Sequence, residues 1–229
     1  MRELRGRGRW DEALRLVADP LARADLLNEQ ALFAGSADAR VRAAEELDRA
    51  EALLLLGRGR VLHARFLAER GAEDPDELAA FERALEIAER LGDRGLEAQA
   101  CFWVGLVHQV VRREHEPSLP YFERSYALAR ELGDSVTMSY AVRHLAFADD
   151  DAGRREQAWA RFEESVELRR AEGFLPGVAA GLLTLGEIAA ERGRPDEARR
   201  LLEEARSLAE QVGAEPFLRR IEGALAALP

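Results

Sequence analysis

The 229-residue sequence has no lysine: all 33 basic residues are arginine, set against 43 acidic ones for a formal net charge of −10. Without lysine there is no Schiff-base residue, no pyridoxal-phosphate anchor and no lysine-bearing phosphate loop. The one cysteine, Cys101, excludes an internal disulfide and any multi-cysteine zinc or iron–sulfur centre. Net negative charge argues against general nucleic-acid binding. No run approaches the ~18 apolar residues that a membrane span needs; the longest, Leu53-Leu54-Leu55-Leu56, stops at Gly57-Arg58. Met1-Arg2-Glu3-Leu4-Arg5 is basic, but Trp10-Asp11-Glu12 stands where a signal peptide would carry its apolar core. The expectation is a soluble, cytoplasmic protein in which 47% hydrophobic and 33% charged residues build a continuous core under a charged surface.

What is present is a repeat. Gly92, Gly133, Gly173 and Gly213 are separated by 41, 40 and 40 residues. Phe81, Phe122, Phe162 and Leu202 precede them with the same spacings. A small residue follows three places later (Ala84, Ser125, Ser165, Ala205), and a large aliphatic three places after that (Ile87, Leu128, Leu168, Leu208). Positions such as Phe122, Ser125, Leu128 and Ala129 fall on one face of a helix, with Arg and Glu opposite. Each glycine suits the left-handed residue that ends a helix, and Asp93 and Asp134 can cap the helices that follow.

A second mark opens the other helix of each pair: Gly153-Arg154-Arg155-Glu156-Gln157-Ala158, then Gly193-Arg194-Pro195-Asp196-Glu197-Ala198, with an early copy at Gly8-Arg9-Trp10-Asp11-Glu12-Ala13. Asp74-Pro75-Asp76-Glu77 and Glu116-Pro117 are variants of it. Glycine permits the turn, proline suits the first helical turn and the acids favour the helix N-terminus. Each unit is therefore a helical hairpin. Leu185-Gly186 with the Gly193 turn and Ala205, Val104-Gly105 with Phe122, and Leu145-Ala146 with Ala158, Phe162 and Ser165 together resemble a tetratricopeptide repeat. The period exceeds that repeat's usual ~34 residues and is similar to the lengthened repeats of kinesin light chains and bacterial maltose-activator-type regulators. The resemblance implies an all-α, right-handed superhelix of antiparallel hairpins, a TPR-like α-solenoid.

The predicted helices are 10–18, 21–34, 37–50, 52–70, 76–91, 95–111, 117–132, 136–152, 155–171, 175–192, 195–212 and 215–227. They group as an N-terminal partial repeat and helix (1–35), repeats (36–213) and a C-terminal capping helix (214–229) within one continuous solenoid. Gly57 and Gly59 interrupt the pattern over 37–70 and are read as splitting it. The segment from Gly8 looks like the second helix of a repeat lacking its first. Three explanations stand: coverage by later helices, a start codon further upstream, or an open end that forms a homodimer through Trp10.

In such a superhelix the first helix of each pair lines the inner groove. In 95–111, Cys101, Val104, Gly105 and His108 form the packing face, while Gln99, Phe102, Leu106 and Gln109 point inward with Trp103 at the edge. The repeat offset gives Tyr140, Arg143, Phe147 and Asp150, with His144 at the edge; upstream it gives Arg58, Val61, Arg65 and Glu69. Downstream it gives Leu183 and Glu187, with Thr184 at the edge. Aromatic faces, arginine forks and an amide suit an extended peptide or a polar ligand with one flat apolar part. The groove is centred on Phe102, Gln109, Tyr140, Arg143 and Phe147. The resembled family's clamp for C-terminal carboxylates uses a lysine and asparagines, and this chain offers only Asn28.

Other chemistry is not indicated. His63, His108 and His144 lie on successive first helices without converging, and His115-Glu116 followed by Pro117-Ser118-Leu119 breaks the zincin spacing. Asp149-Asp150-Asp151 fan ~100° apart on a helix, which points to a solvated end or to pairing with Arg154 and Arg155 rather than one cation site. Gly6-Arg7-Gly8 and Gly57-Arg58-Gly59 lack the third glycine and the preceding strand of a dinucleotide site. Tyr140, Arg143, His144 and Asp150 fix no nucleophile and no base. The expectation is a non-catalytic scaffold that binds a protein or peptide in its groove, without cofactor or metal. The alternative is a small-molecule-sensing regulatory module acting through a partner protein.

Overall fold

A computed structural model describes residues 2–229. Among these residues there are twelve α-helices, one π-helical turn and no strand, the all-α architecture of sequential hairpins that the periodicity predicts. No described helix is long and apolar enough to cross a membrane. The chain divides into two compact units, Met1–Val107 and His108–Pro229.

The first unit holds α1 (Arg2–Gly6), α2 (Trp10–Leu14), α3 (Pro20–Ala34), α4 (Ala37–Glu69), α5 (Pro75–Leu91) and α6 (Arg94–Leu106). Two expectations are corrected here. The helix predicted over 10–18 stops at Leu14, because Arg23 of α3 reaches back to the carbonyls of Leu14 (2.9 Å) and Val17 (3.1 Å). Those bonds satisfy carbonyls in the irregular stretch beyond α2, and Asp19 before Pro20 is biased away from helix. Trp10 is half-buried against the cluster of Leu14, Leu26, Leu27 and Ala39. The helices predicted at 37–50 and 52–70 are one 33-residue helix, α4. Gly59 is not a breaker: a Cβ there would lie 2.5 Å from the Phe81 ring, so glycine is what lets α5 approach α4. Each helical glycine costs only about 1 kcal/mol against alanine, too little to split a helix whose neighbours are Leu, Ala, Arg and Glu.

α6 runs into a π turn, Val107–Arg112, in place of the α-helix predicted to 111. The wider register coincides with Gln109 being held twice in the second unit: its amide donates to the His144 carbonyl (3.1 Å), and its Oε1 meets His144 Nδ1 (2.6 Å).

The second unit continues with α7 (His115–Leu132), α8 (Ser135–Asp151), α9 (Arg155–Ala171), α10 (Leu175–Glu191), α11 (Pro195–Gln211) and α12 (Glu215–Ala226). Each helix packs on the next. The predicted repeat positions form the core: Phe122, Phe162 and Leu202 are buried, as are Ser125, Ser165 and Ala205. Close approach is again by glycine, Gly181 against Val166 and Gly186 against Leu202. Gly133, Gly173 and Gly213 carry φ of 65–70°, the left-handed conformation that ends a helix. Asp134 accepts from the Thr137 N–H at 3.0 Å as the cap of α8. The C-terminal helix seals the last hairpin through fully buried Ile221.

Candidate functional site

On α8, Tyr140, Arg143 and Phe147 are spaced three and four residues apart and share one face. On α10, Thr184 and Glu187 are three apart. Arg143 bridges the two helices: its Nη2 donates to Thr184 Oγ1 at 2.8 Å, and that hydroxyl donates to the Ala180 carbonyl at 3.2 Å. The guanidinium lies 4.9 Å from the Phe147 ring centre and 5.8 Å from that of Phe162. Its Nη1 is out of contact with water and has no hydrogen-bond partner.

A second buried arginine stands beside it. Arg169 of α9 lies 4.9 Å from the Tyr140 ring, donates Nη1 to the Gly177 carbonyl (3.0 Å) and reaches Ser139 Oγ (3.3 Å). Tyr140 also meets the Phe174 ring at 6.2 Å. Among the described residues neither Arg143 nor Arg169 forms an ion pair, although the chain has ten more acids than bases. Glu187, whose charge favours the Arg143 cation, is itself engaged by Arg220 at 3.0 Å.

The electrostatics follow. Burial, then the positive charges of Arg169 and Arg220, pull the Arg143 guanidinium down to about 9, against only the opposing effect of Glu187. Burial also lowers Arg169, with Tyr140 acting the other way. Both guanidinium groups are thus held where burial disfavours a cation. A carboxylate oxygen at Nη1 would supply both the missing acceptor and the missing charge, and because that atom is out of contact with water the carboxylate would reach it only if the side chains around it moved.

Residues 137–211 match the family model of the tetratricopeptide repeat. The match takes in most of α8 and all of α9–α11, about a third of the chain, and with the repeated hairpins it supports a tetratricopeptide-repeat protein. No curated protein matches the chain.

Within the tetratricopeptide segment α8 and α10 are first helices, and the Arg143–Thr184 bond links them. The other residues expected in the groove lie as follows. Glu187 neighbours Arg143 electrostatically, and Gln109 joins α8 through His144. Asp150 is half-buried and 3.8 Å from Arg192. Leu183 is 1% exposed, in the core. Phe102 and Leu106 are buried in α6 of the first unit, and Arg65 pairs with Asp74 at 2.7 Å near the end of α4. The three aspartates diverge, with Asp149 buried between Arg154 (2.8 Å) and Arg161 (2.6 Å) and Asp151 near His115 (3.0 Å). Among the described residues no three His, Cys, Asp or Glu side chains converge on a metal position.

Arg169 was missing from the sequence reading, and its signal was there. It occupies the repeat position of Ala88, Ala129 and Ala209, all fully buried, so a buried guanidinium replaces a methyl in one repeat of four. Gly177 makes the room: a Cβ there would lie 2.9 Å from Arg169 Cδ and 2.4 Å from the Phe174 ring.

Proposed function

We propose that this protein is a non-catalytic peptide-binding module that receives an acidic group of its partner on Arg143, beside the Phe147 ring. Tetratricopeptide repeats generally mediate protein–protein interactions. The observation that carries the reading is the unpartnered Nη1 on a guanidinium that no carboxylate neutralises. A structural arginine in a chain this rich in glutamate has acids within reach, and a buried cation without one is costly. Its retention at the junction of two first helices is explained when a ligand supplies the carboxylate. The ring adds contact area with few rotors to freeze.

The test is an array of extended peptides with and without Asp or Glu, read by fluorescence anisotropy with wild type and Arg143→Gln. Acidic peptides should be retained by wild type, weaken with salt, and lose about tenfold or more in affinity with Arg143→Gln, a charge-assisted hydrogen bond being worth about 1.5–3 kcal/mol. Equal binding by both proteins refutes the role. The alternative, sensing of a small molecule through the same guanidinium, predicts that simple dicarboxylates alone raise the melting temperature of wild type but not of the variant.

A further inference from the structure

The long helix α4 is covered on different sides along its length. Ala39 and Glu46 are buried toward α3, which contributes to one cluster with Ala39 and pairs Arg23 with Glu46. Further on, Gly59 lies under Phe81 of α5 and His63 bonds to Glu77 of α5. A third strip is left open: Leu47, Ala50, Leu54, Gly57, Val61 and Ala64, at alternating spacings of three and four. Leu47, Leu54 and Val61 are 53%, 55% and 70% exposed. The alternation is that of a coiled-coil seam, and its two series differ in size, the first large (Leu47, Leu54, Val61) and the second small (Ala50, Gly57, Ala64).

That division is self-complementary in one arrangement. When two copies of α4 lie antiparallel about a two-fold axis between residues 55 and 56, Leu47 of one copy faces Ala64 of the other. Leu54 then faces Gly57, and Val61 faces Ala50. Every large residue meets a small one, which allows close approach. A parallel pair in register would set large on large and leave gaps at the small positions. The flanking charges select the same arrangement. Glu51 and Arg58 border the seam on one side, and the antiparallel register brings Glu51 of each copy beside Arg58 of the other. A parallel register would set Glu51 toward Glu46 and Arg58 toward Leu53 of the other copy, with no pair of opposite charges. Arg58 has no ion-pair partner among the described residues, and Glu51 has only a 3.9 Å approach to Arg83. Beside the seam α4 and α5 leave a groove of about 820 Å³, lined in part by Leu54, Gly57, Arg58, Val61 and Ala79.

We propose that α4 is a dimerisation helix, through which two copies of this chain associate by their antiparallel seams about a two-fold axis near residues 55–56. The interface is isologous, so each contact occurs twice.

Sedimentation equilibrium of the full chain tests this from low micromolar concentration upward. The mass should rise toward twice the 25.5 kDa of one chain. Leu54→Glu should return it to one chain with an unchanged far-ultraviolet spectrum, because the side chain is exposed within one chain, and should melt at the temperature of dilute, monomeric wild type. Arg58→Glu should weaken the dimer about tenfold, since two favourable pairs become repulsive, and Glu51→Arg with Arg58→Glu should restore it. For register, Ala50→Cys and Val61→Cys proteins should form a mixed disulfide when oxidised together. Neither should cross-link with itself, because like positions then stand about 16 Å apart. Cys101 is buried and stays out of the reaction. The proposal is overturned by a monomer at all concentrations, by a dimer that survives Leu54→Glu, by failure of the charge exchange to restore association, or by self-cross-linking of either cysteine variant.

Discussion

Arg143→Met should leave the folded protein about as stable as wild type, or slightly more so, while removing the proposed anion site. The descent of the guanidinium to about 9 corresponds to about 5 kcal/mol against the charged form. Contacts of the same group offset much of this. Two desolvated ring contacts contribute about 1–2 kcal/mol each, and the hydrogen bond to Thr184 about 1.5–2 kcal/mol. These offsets total about 3.5–6 kcal/mol, so the charge sits near break-even, between a net penalty of about 1.5 kcal/mol and a net gain of about 1 kcal/mol. Methionine keeps the aliphatic stem and replaces ring contacts with sulfur–aromatic ones, while Thr184 keeps its bond to Ala180. For a chain of this size the melting temperature shifts by about 2–4 °C per kcal/mol. Arg23→Met is the contrasting control. Arg23 is bound to Glu46 at 2.6 Å and to two backbone carbonyls, so its loss leaves the buried Glu46 with only Arg49 (2.9 Å) and the two carbonyls without that donor, and should cost about 2–3 kcal/mol. Differential scanning calorimetry of both variants decides. Destabilisation by Arg143→Met comparable to that by Arg23→Met would mean that Arg143 is a structural residue already satisfied, and the reasoning fails.

Further outcomes are expected elsewhere in the molecule. Gly59→Ala should lose about 1–3 kcal/mol by overpacking on Phe81, whereas Gly57→Ala, with open space around it in the single chain, should gain about 0.5–1 kcal/mol when measured on dilute, monomeric protein; chemical denaturation separates the two. Asp149→Ala removes the buried partner of Arg154 and Arg161 and should cost about 2 kcal/mol, below the loss for a fully buried pair because both arginines reach water. Asp93 caps α6 and pairs with Arg49 at 2.8 Å, which holds its carboxyl below the usual value despite burial. Its contribution is therefore present above its unfolded value near 3.8 and lost as pH falls through the lower folded one. Asp93→Ala should cost about 1–2 kcal/mol at neutral pH, and its difference from wild type should shrink below pH 3.8 in urea titrations.

The hairpins were legible because their punctuation is local. A glycine with φ near 65° and an acid capping the next helix are dictated by backbone sterics and helix-end hydrogen bonding, which a sequence displays directly. Gly57 and Gly59 misled for the same reason: glycine serves both turns and close packing, and only the position of Phe81 distinguishes them. Tyr140, Arg143 and Phe147 were found from the repeat offset. What makes Arg143 unusual was not visible, because the absence of a carboxylate depends on which of 43 acids the fold brings near. Arg169 was legible in principle as the break in a column of alanines. The open seam of α4 became readable only once the two predicted helices proved continuous.

The central claim is that Arg143 awaits a carboxylate, and a double-mutant cycle measures it directly. Affinity of an acidic peptide and its Glu→Gln counterpart is compared by calorimetry on wild type and Arg143→Met. A coupling of about 2 kcal/mol or more is predicted between Arg143 and one peptide carboxylate; additive losses, with coupling near zero, would contradict the account.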